Sequence, residues 1–571
     1  MDLPSANPGW HRLLRRATAW SILGVFVVAC ATRFEPDRAA RAPTLEGFGS
    51  MAMTITTSSP VAAATFTRAM LQAYAFNEIE AARAFKAALA ADPRCAMCAW
   101  GVAYALGPNI NAVERGDLSE AREYIGLARR HAASASARER GLIEALAARY
   151  GSADQAASRS EPPAAPICGS GGAAPPHPLD VVYADRMRAL SDAYPDDPDV
   201  TALYAEATMI ATRVDWWDRN TGAAAPGIAD MTARLERVLE RWPEHPGLNH
   251  YLIHAADSSP APQRAQVAAD RLGRLAPESP HLLHMPSHIY VRIGRYADAV
   301  DVNSAALAAE VRQAKKLEAQ GFAPSVNWDG HNLHFLWFAA LMDGRGDAAL
   351  EQARLLAQRS AAGKSPSAEL MRALPLLTLA RVERWHEVLD EPEVLGDSGV
   401  GAAVTAYARG LALLGQGDRA GAEARAAVLR ERRDAPMLAG KTVLADPARN
   451  VLDVLSAQLD GEIAAAAGQL EKAREALDRG IRVEAALDSA EPPLLGEASR
   501  LALGDAMLSA RRWSAAEQAF RDDLAARPAN GWALRGLQRA LAGKGDAAAA
   551  AGAQKELMRA WASADARLIR R

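Results

Sequence analysis

The sequence IGRYADA at residues 293–299 decides the fold of this 571-residue chain. Glycine and aspartate here mark a turn between two helices, since both residues favour turns over the interior of a helix. The same turn recurs as MDGRGDAA at residues 342–349 and as GQGDRA at residues 415–420. Repetition of one turn between helical segments predicts an all-α repeat array.

The composition agrees with a helical array. The chain is rich in Ala, Leu, Arg and Glu, which are strong helix formers, and it is poor in runs of β-branched residues. A formal net charge of -3 does not favour a polyanion, so the sequence argues against a nucleic-acid partner. It contains neither a glycine-rich phosphate loop nor a G-x-S-x-G nucleophile elbow.

These turns resemble the inter-helix turn of the tetratricopeptide repeat (TPR). A TPR has large residues and glycine at set places of its first helix, small residues in its second helix, and a closing proline. The resemblance covers most of residues 63–571 and implies an all-α, TPR-like helix-turn-helix solenoid, a right-handed superhelix whose concave face binds partners. Further positions in register are Ala81, Phe85, Ala88, Pro93, Leu503, Gly504, Trp513, Ala516, Phe520, Leu524, Pro528, Trp532, Gly536, Gly543 and Ala548.

Histidines cluster in the central repeats. With Gly294, Gly344 and Pro277 as reference points, seven of the twelve histidines occupy the second, fifth or ninth place of three successive repeats. These places lie within roughly 60° on one helix face, so we expect the side chains to point away from the inter-helix core. The resemblance places that face on the concave groove, with Asp257 beside it. The seven are His250, His254, His281, His284, His288, His331 and His334.

This histidine pattern predicts a metal site. Neutral imidazole is a common metal ligand, and histidines four residues apart on a helix can chelate one ion. A nitrogen-rich set with Asp257 as a ligand or orienting group suits Zn, Fe or Cu, and seven histidines exceed one tetrahedral shell. Such a metal would support hydrolysis or oxidation, although no reaction follows from the sequence. The alternatives are a non-enzymatic scaffold whose groove binds a protein or peptide, and incidental clustering; Pro286 also interrupts the spacing of His284 and His288.

Several motifs are similar to a bacterial family of TPR proteins with His-rich central repeats and poorly defined function. The similarity extends over most of the chain and does not imply a particular reaction. The family tends to have histidine at the position of Glu78, which leaves any role of that glutamate open. The matching stretches are residues 76–78, 92–101, 107–111, 249–254, 284–290, 331–336 and 530–534.

The N-terminus resembles an export signal. Three arginines precede an apolar stretch at residues 17–29, which is too short to span a bilayer comfortably. The run VVAC ending at Cys30 resembles a bacterial lipobox, in which the cysteine is lipidated, and Ala31 implies transfer to the outer membrane. We therefore expect an outer-membrane lipoprotein facing the periplasm. An ordinary secretory signal or an uncleaved anchor is the alternative.

Cys95 and Cys98 form a C-x-x-C at the start of a helix, and we expect packed small residues or a local disulfide there rather than redox catalysis.

The predicted organisation has six parts. The six parts are a signal peptide at 1–29, a lipid-anchored tether at 30–62, N-terminal repeats at 63–150, a disordered insertion at 151–178, central His-bearing repeats at 179–365 and C-terminal repeats at 366–571.

Overall fold

The computed structural model describes most of the chain after residue 33. The predicted signal peptide, Cys30 and most of the predicted insertion lie outside the described residues. The described residues from 36 onward belong to one compact unit, Pro36–Arg571. The described residues are 34, 36–51, 53–113, 115–151, 175–212, 216–218, 221–324, 329–444, 446–487, 491–495 and 498–569.

The described residues form consecutive α-helices that pack mainly against their neighbours in sequence. The first half contains α1 Pro60–Tyr74, α2 Glu78–Ala91, α3 Ala96–Ala105, α4 Ser119–His131, α5 Ala137–Tyr150, α6 Pro178–Ala193, α7 Pro198–Thr212, α8 Ile228–Arg241, α9 Pro246–Asp257, α10 Gln266–Leu275, α11 Pro280–His284, α12 Pro286–Arg292 and α13 Tyr296–Ala319. The second half contains α14 Asp329–Met342, α15 Gly346–Arg359, α16 Pro366–Arg381, α17 Trp385–Asp390, α18 Val400–Gly415, α19 Arg419–Arg433, α20 Ala448–Ala466, α21 Leu470–Ala486, α22 Ser499–Ser509, α23 Trp513–Ala526, α24 Gly531–Lys544, α25 Ala547–Ala560 and α26 Ala566–Ile569.

The three turns predicted from the sequence each connect two helices. Gly294 lies between α12 and α13 with φ +79°, Gly344 between α14 and α15 with φ +74°, and Gly417 between α18 and α19 with φ +86°. This left-handed backbone region strongly favours glycine, which explains why the turn is recognisable in the sequence. The all-α, TPR-like helix-turn-helix solenoid is confirmed.

The C-terminal helices return to the central repeats. The indole N–H of Trp532 donates to the carbonyl of Leu341 at 3.1 Å, and that of Trp561 donates to the carbonyl of Met342 at 3.0 Å. A Cβ atom on Gly294 would lie 2.2 Å from the carbonyl oxygen of Pro528. Repeats far apart in sequence are therefore in direct contact.

Two irregular segments lie beside the helices. A short antiparallel hairpin, β1 Thr442–Val443 and β2 Asp446–Pro447, precedes α20. Residues 491–495 follow α21, and Leu494 is buried in the core formed by α16, α18 and α20. This segment, which carries Glu491, therefore lies against the helices.

The region predicted as a tether contacts the helices. α1 begins at Pro60, where the Ser59 hydroxyl accepts from the backbone N–H of Ala62 at 3.2 Å. Phe48 and Met53, from the preceding segment, are buried. Within the described residues, no helix is both long enough and apolar enough to cross a membrane.

Candidate metal centre

Helix α9 carries the first two histidines of the cluster. Pro246 starts this helix, because a missing N–H costs nothing in the first turn, and the Nδ1 atom of His245 accepts from the backbone N–H of Leu248 at 3.2 Å. His245 therefore has a structural capping role. His250 and His254 lie four residues apart on this helix, and both are buried.

Helices α11 and α12 carry the next three histidines. Pro286 ends the continuous helix at Met285, because a proline nitrogen cannot donate the hydrogen bond of a helix interior. Despite this break, the Nε2 atoms of His284 and His288 are 3.0 Å apart. The proline does not prevent these two imidazoles from converging.

Site A consists of His250, His254 and His281. The Nε2 atom of His250 lies 3.0 Å from the Nε2 atom of His254 and 3.1 Å from the Nε2 atom of His281. The Nδ1–H of His250 donates to the backbone carbonyl of Tyr74 at 2.7 Å. A neutral His250 therefore directs an unprotonated Nε2 toward the other two imidazoles.

Phe76 covers site A from the turn between α1 and α2. Its ring centroid lies 4.6 Å from that of His250, 5.8 Å from that of His254 and 5.2 Å from that of His281. Phe76 has φ +51°, a region that non-glycine residues rarely adopt. Backbone strain of this kind persists only where the surroundings enforce it, and here it places one ring against three imidazoles.

Site B consists of His284, His288 and His331, whose ligand-capable atoms lie within 4.8 Å of one another. The Nδ1–H of His284 donates to the Oδ1 atom of Asn303 at 2.6 Å. The Asn303 amide nitrogen donates to the carbonyl of Ala299 at 2.7 Å, which fixes the amide oxygen toward the imidazole. The Nδ1–H of His288 donates to the carboxylate of Asp257 at 2.9 Å.

These hydrogen bonds create an electrostatic conflict at site B. Because both Nδ1 atoms are donors, both Nε2 atoms are unprotonated when the imidazoles are neutral. Two nitrogen lone pairs then face each other across 3.0 Å with no proton between them. A cation between the two nitrogens removes this repulsion.

The spacing also fits a shared ion. Two nitrogens bound to one ion at roughly 2.0–2.1 Å stand about 2.8–3.4 Å apart for angles between about 90° and the tetrahedral value. Three nitrogen pairs in the cluster have separations of 3.0–3.1 Å. The buried orienting partners, a carbonyl, an amide and a carboxylate, are those that hold metal-binding imidazoles in other proteins.

Phe335 covers site B as Phe76 covers site A. Its centroid lies 4.8 Å from that of His284, 4.5 Å from that of His288 and 5.0 Å from that of His331. His331 is half-buried, and its Nε2 atom has no hydrogen-bond partner among the described residues. Each triad of imidazole rings is therefore packed against one phenyl ring.

Burial keeps five of the six triad imidazoles neutral. Desolvation lowers the pKa of His250 to about 3, although the Tyr74 carbonyl opposes the shift. Burial, followed by neighbouring histidines, also lowers the pKa values of His254, His281, His284 and His331 well below the usual value. Neutral imidazole is the form that binds a metal.

A carboxylate pair adjoins site B. Glu491 reaches the same imidazole as Asp257, with 3.3 Å between its Oε2 atom and the Nδ1 atom of His288. Burial and the nearby Asp257 raise the pKa of Glu491, whereas His288 and Arg292 lower the pKa of Asp257 against the effect of burial. The sequence does not indicate Glu491, because it comes from an irregular segment far along the chain.

The structure differs from the sequence expectation in two respects. Six of the seven histidines are buried and His331 is half-buried, rather than exposed on an open groove; Phe76 covers site A and Phe335 covers site B. His334 is outside both triads; it stacks on Trp337 with centroids 5.4 Å apart, and burial lowers its pKa to about 4. Asp257 contacts His288, which is the orienting role considered for it.

The remaining candidates lie near α2 and α3. Cys95 and Cys98 are joined by a disulfide at the start of α3. Glu78 accepts from the amide of Asn109 at 2.5 Å, and burial raises the pKa of Glu78 to about 8. In the described residues Glu78 is not part of a metal-ligand cluster.

A cleft opens beside site B. It has a volume of about 560 Å³, and its walls include His288, Phe335, Asp257, Glu491 and Arg292. The guanidinium of Arg292 donates to the backbone carbonyls of Asp257 and Ser259. One metal-ligand cluster therefore adjoins a space large enough for a small molecule.

Comparisons with known proteins show distant likenesses in structure only. No protein-family model matches the chain, and no curated protein sequence matches it. The human IFIT1 dimer with m7Gppp-AAAA is 11% identical, with a TM-score of 0.30 over 89% of this chain and 91% of that chain. The APC/C hetero-tetramer Cut9-Hcn1 is 13% identical, with a TM-score of 0.24 over 90% and 96%. Naa15/Naa10 bound to HypK-THB is 11% identical, with a TM-score of 0.22 over 87% and 88%.

Proposed function

We propose that this protein binds transition-metal ions at two adjacent three-histidine sites, A and B, in its central repeats. One observation carries the proposal: the Nε2 atoms of His284 and His288 are 3.0 Å apart while both Nδ1 atoms donate to fixed acceptors. When both imidazoles are neutral and no cation lies between them, that arrangement places two lone pairs against each other in a buried site. Such an arrangement is costly at low dielectric and becomes favourable when an ion is bound.

The donor atoms define the class of metal. Six imidazole nitrogens, three in each site, suit Zn, Cu or Fe, whereas Mg and Ca prefer oxygen ligands. Asn303 and Asp257 hold the two site B imidazoles, and the Tyr74 carbonyl holds one in site A. A zinc ion would supply Lewis-acid chemistry, and copper or iron would supply redox chemistry.

Elemental analysis of purified and reconstituted protein tests this proposal. We expect about two ions per chain in the parent protein and about one in each of His254→Ala and His284→Ala, since each substitution removes a ligand from one triad. His334→Ala is the matched control, because this buried histidine is outside both triads. A parent protein that retains no stoichiometric metal after reconstitution, or equal metal in all variants, would contradict the proposal.

A second candidate function, a non-enzymatic scaffold for a protein or peptide, is favoured by a groove in the C-terminal repeats. This groove has a volume of about 450 Å³. Its walls carry Arg381, Arg535 and Arg539 together with acidic residues, and the guanidinium of Arg535 lies 5.1 Å from the ring centroid of Trp532. Arginine and aromatic side chains are enriched at protein-binding surfaces relative to the rest of a protein surface.

Selection from a displayed peptide library tests the scaffold. We expect enriched peptides that bind the parent protein and bind Arg539→Ala more weakly, with no dependence on metal. Binding that is equal in Arg539→Ala, or that disappears when metal is removed, would exclude this groove as a separate binding site.

We also propose that the chain is anchored at the cell envelope through lipidated Cys30. The support is the run VVAC after an apolar stretch that follows a basic start. Labelled fatty acid should be incorporated into the parent protein and not into Cys30→Ala. Equal incorporation in both would refute the anchor.

A further inference from the structure

Sites A and B differ in their access to solvent. His250, His254 and His281 are 0%, 5% and 1% exposed, and the cavity at His281 has a volume of about 20 Å³, enough for about one water molecule. At site B, His284 and His288 are equally buried, at 0% and 2% exposed, but His331 is half-buried, and His288 and Phe335 line the cleft of about 560 Å³. Among the described residues, a molecule larger than water therefore has space beside site B, whereas the cavity at His281 in site A admits about one water molecule.

We infer that the ion at site B keeps a coordination position for an external ligand from this cleft, whereas the ion at site A is structural. This inference depends on the proposed metal binding and goes beyond it, because it assigns different roles to the two ions. Both triads supply three nitrogens, which leaves at least one position free on each ion. Access through the cleft decides at which of the two ions an external molecule can occupy this free position.

The surroundings of the cleft define the ligand class. Its walls carry the carboxylates of Asp257, Asp446, Glu484 and Glu491, whereas Arg292 is the basic side chain at this wall and already donates to two backbone carbonyls. These carboxylates offset the positive charge of the ion and so weaken its attraction for an anionic ligand relative to a neutral donor. The site B ion therefore accepts a small molecule that offers a neutral amine, imidazole or carbonyl group.

Phe335 separates the ligand position from the protein interior. This residue is 1% exposed, contacts all three imidazoles of site B and also forms part of the cleft wall. The apolar part of an incoming ligand would pack on this ring while its donor atom reaches the ion. A ligand with a flat apolar body and one neutral donor fits both features.

Cobalt-substituted full-length protein tests the inference, because the visible absorption of Co(II) reports its coordination. We expect imidazole to change the spectrum of the parent protein and of His254→Ala, which keeps site B, but not that of His284→Ala, which keeps site A. Azide should change the spectra less than imidazole does at equal concentration. An imidazole effect that persists in His284→Ala and disappears in His254→Ala would overturn the assignment, as would no effect in any cobalt-loaded protein.

Chelation provides an independent measurement. Release of an enclosed ion requires local opening of the protein, so a soluble chelator should remove the site B ion at least about ten-fold faster than the site A ion. Equal rates in His254→Ala and His284→Ala would contradict the inference while leaving the metal-binding proposal intact. Failure of cobalt to bind to any of the proteins would instead refute the metal sites, and the inference with them.

Discussion

Substitution of Asn303 by leucine tests how the protein holds an imidazole in the metal-binding tautomer. Asn303 is 0% exposed, and its Oδ1 atom accepts from the Nδ1–H of His284 at 2.6 Å. Leucine has a similar size and offers no acceptor. We expect His284 to move its proton to Nε2, the atom that faces His288, and so to lose its free lone pair.

The expected loss of metal affinity follows from the role of Asn303 in orienting the His284 imidazole. Loss of such a partner weakens metal affinity by about 10–100-fold, which equals about 1.4–2.7 kcal/mol of binding free energy. The metal-free protein should respond differently. The proton on His284 Nε2 can now be donated to His288 Nε2, and that removes the lone-pair repulsion and adds a hydrogen bond worth about 1 kcal/mol. We therefore expect the free energy of unfolding without metal to be equal or slightly higher.

Two assays together measure these effects. Competition with a chromophoric chelator gives the affinity of the site B ion, and urea denaturation in the presence of a chelator gives the stability of the metal-free protein. Ser304→Ala is the control, because its hydroxyl donates to the carbonyl of Val300 at 2.8 Å and does not contact the histidines. An affinity unchanged within about two-fold, or an equal loss of stability with and without metal, would refute the reasoning.

Three further predictions concern stability. Phe76→Ala should lower the free energy of unfolding by about 3–5 kcal/mol, because it leaves a cavity against three imidazoles; a loss below about 1 kcal/mol in urea denaturation would contradict this packing role. Gly294→Ala should lower the free energy of unfolding by at least about 2 kcal/mol in the same assay. Residue 294 has φ +79°, which disfavours alanine, and a Cβ atom there would clash with the carbonyl oxygen of Pro528. The metal-free protein should lose stability as the pH falls from about 6.5 toward 4, because the unfolded chain then takes up protons on His250 and His334, whose folded pKa values are about 3 and about 4. Urea denaturation at several pH values checks this, and a flat profile would contradict the depressed pKa values.

The repeat register was predictable because it rests on local backbone requirements. Gly294, Gly344 and Gly417 have positive φ, and helical periodicity places residues four apart on one face. Six of the seven predicted histidines accordingly fall into the two triads. His334 was grouped with them through its place in the repeat, but its ring stacks on Trp337 instead.

The partners of the histidines could not be predicted in the same way. Tyr74 contributes a backbone carbonyl, which has no sequence signature, and Asn303 and Glu491 come from other helices or segments. Phe76 and Phe335 look like ordinary apolar residues of helical segments. Their contacts with the imidazoles depend on how the repeats stack, and a single sequence does not encode that stacking in any local pattern.

The contacts between the C-terminal helices and the central repeats have a consequence for how this protein unfolds. In most solenoids each repeat touches only its neighbours, so the ends can fray while the middle stays folded. Here the indoles of Trp532 and Trp561 bond to carbonyls 191 and 219 residues away. Forming such contacts closes very long loops, which slows folding, and breaking them exposes the C-terminal end and the middle of the array together. The central and C-terminal repeats should therefore melt together in one concerted transition, and a truncation after α21 should destabilise the middle of the protein as well as remove its end.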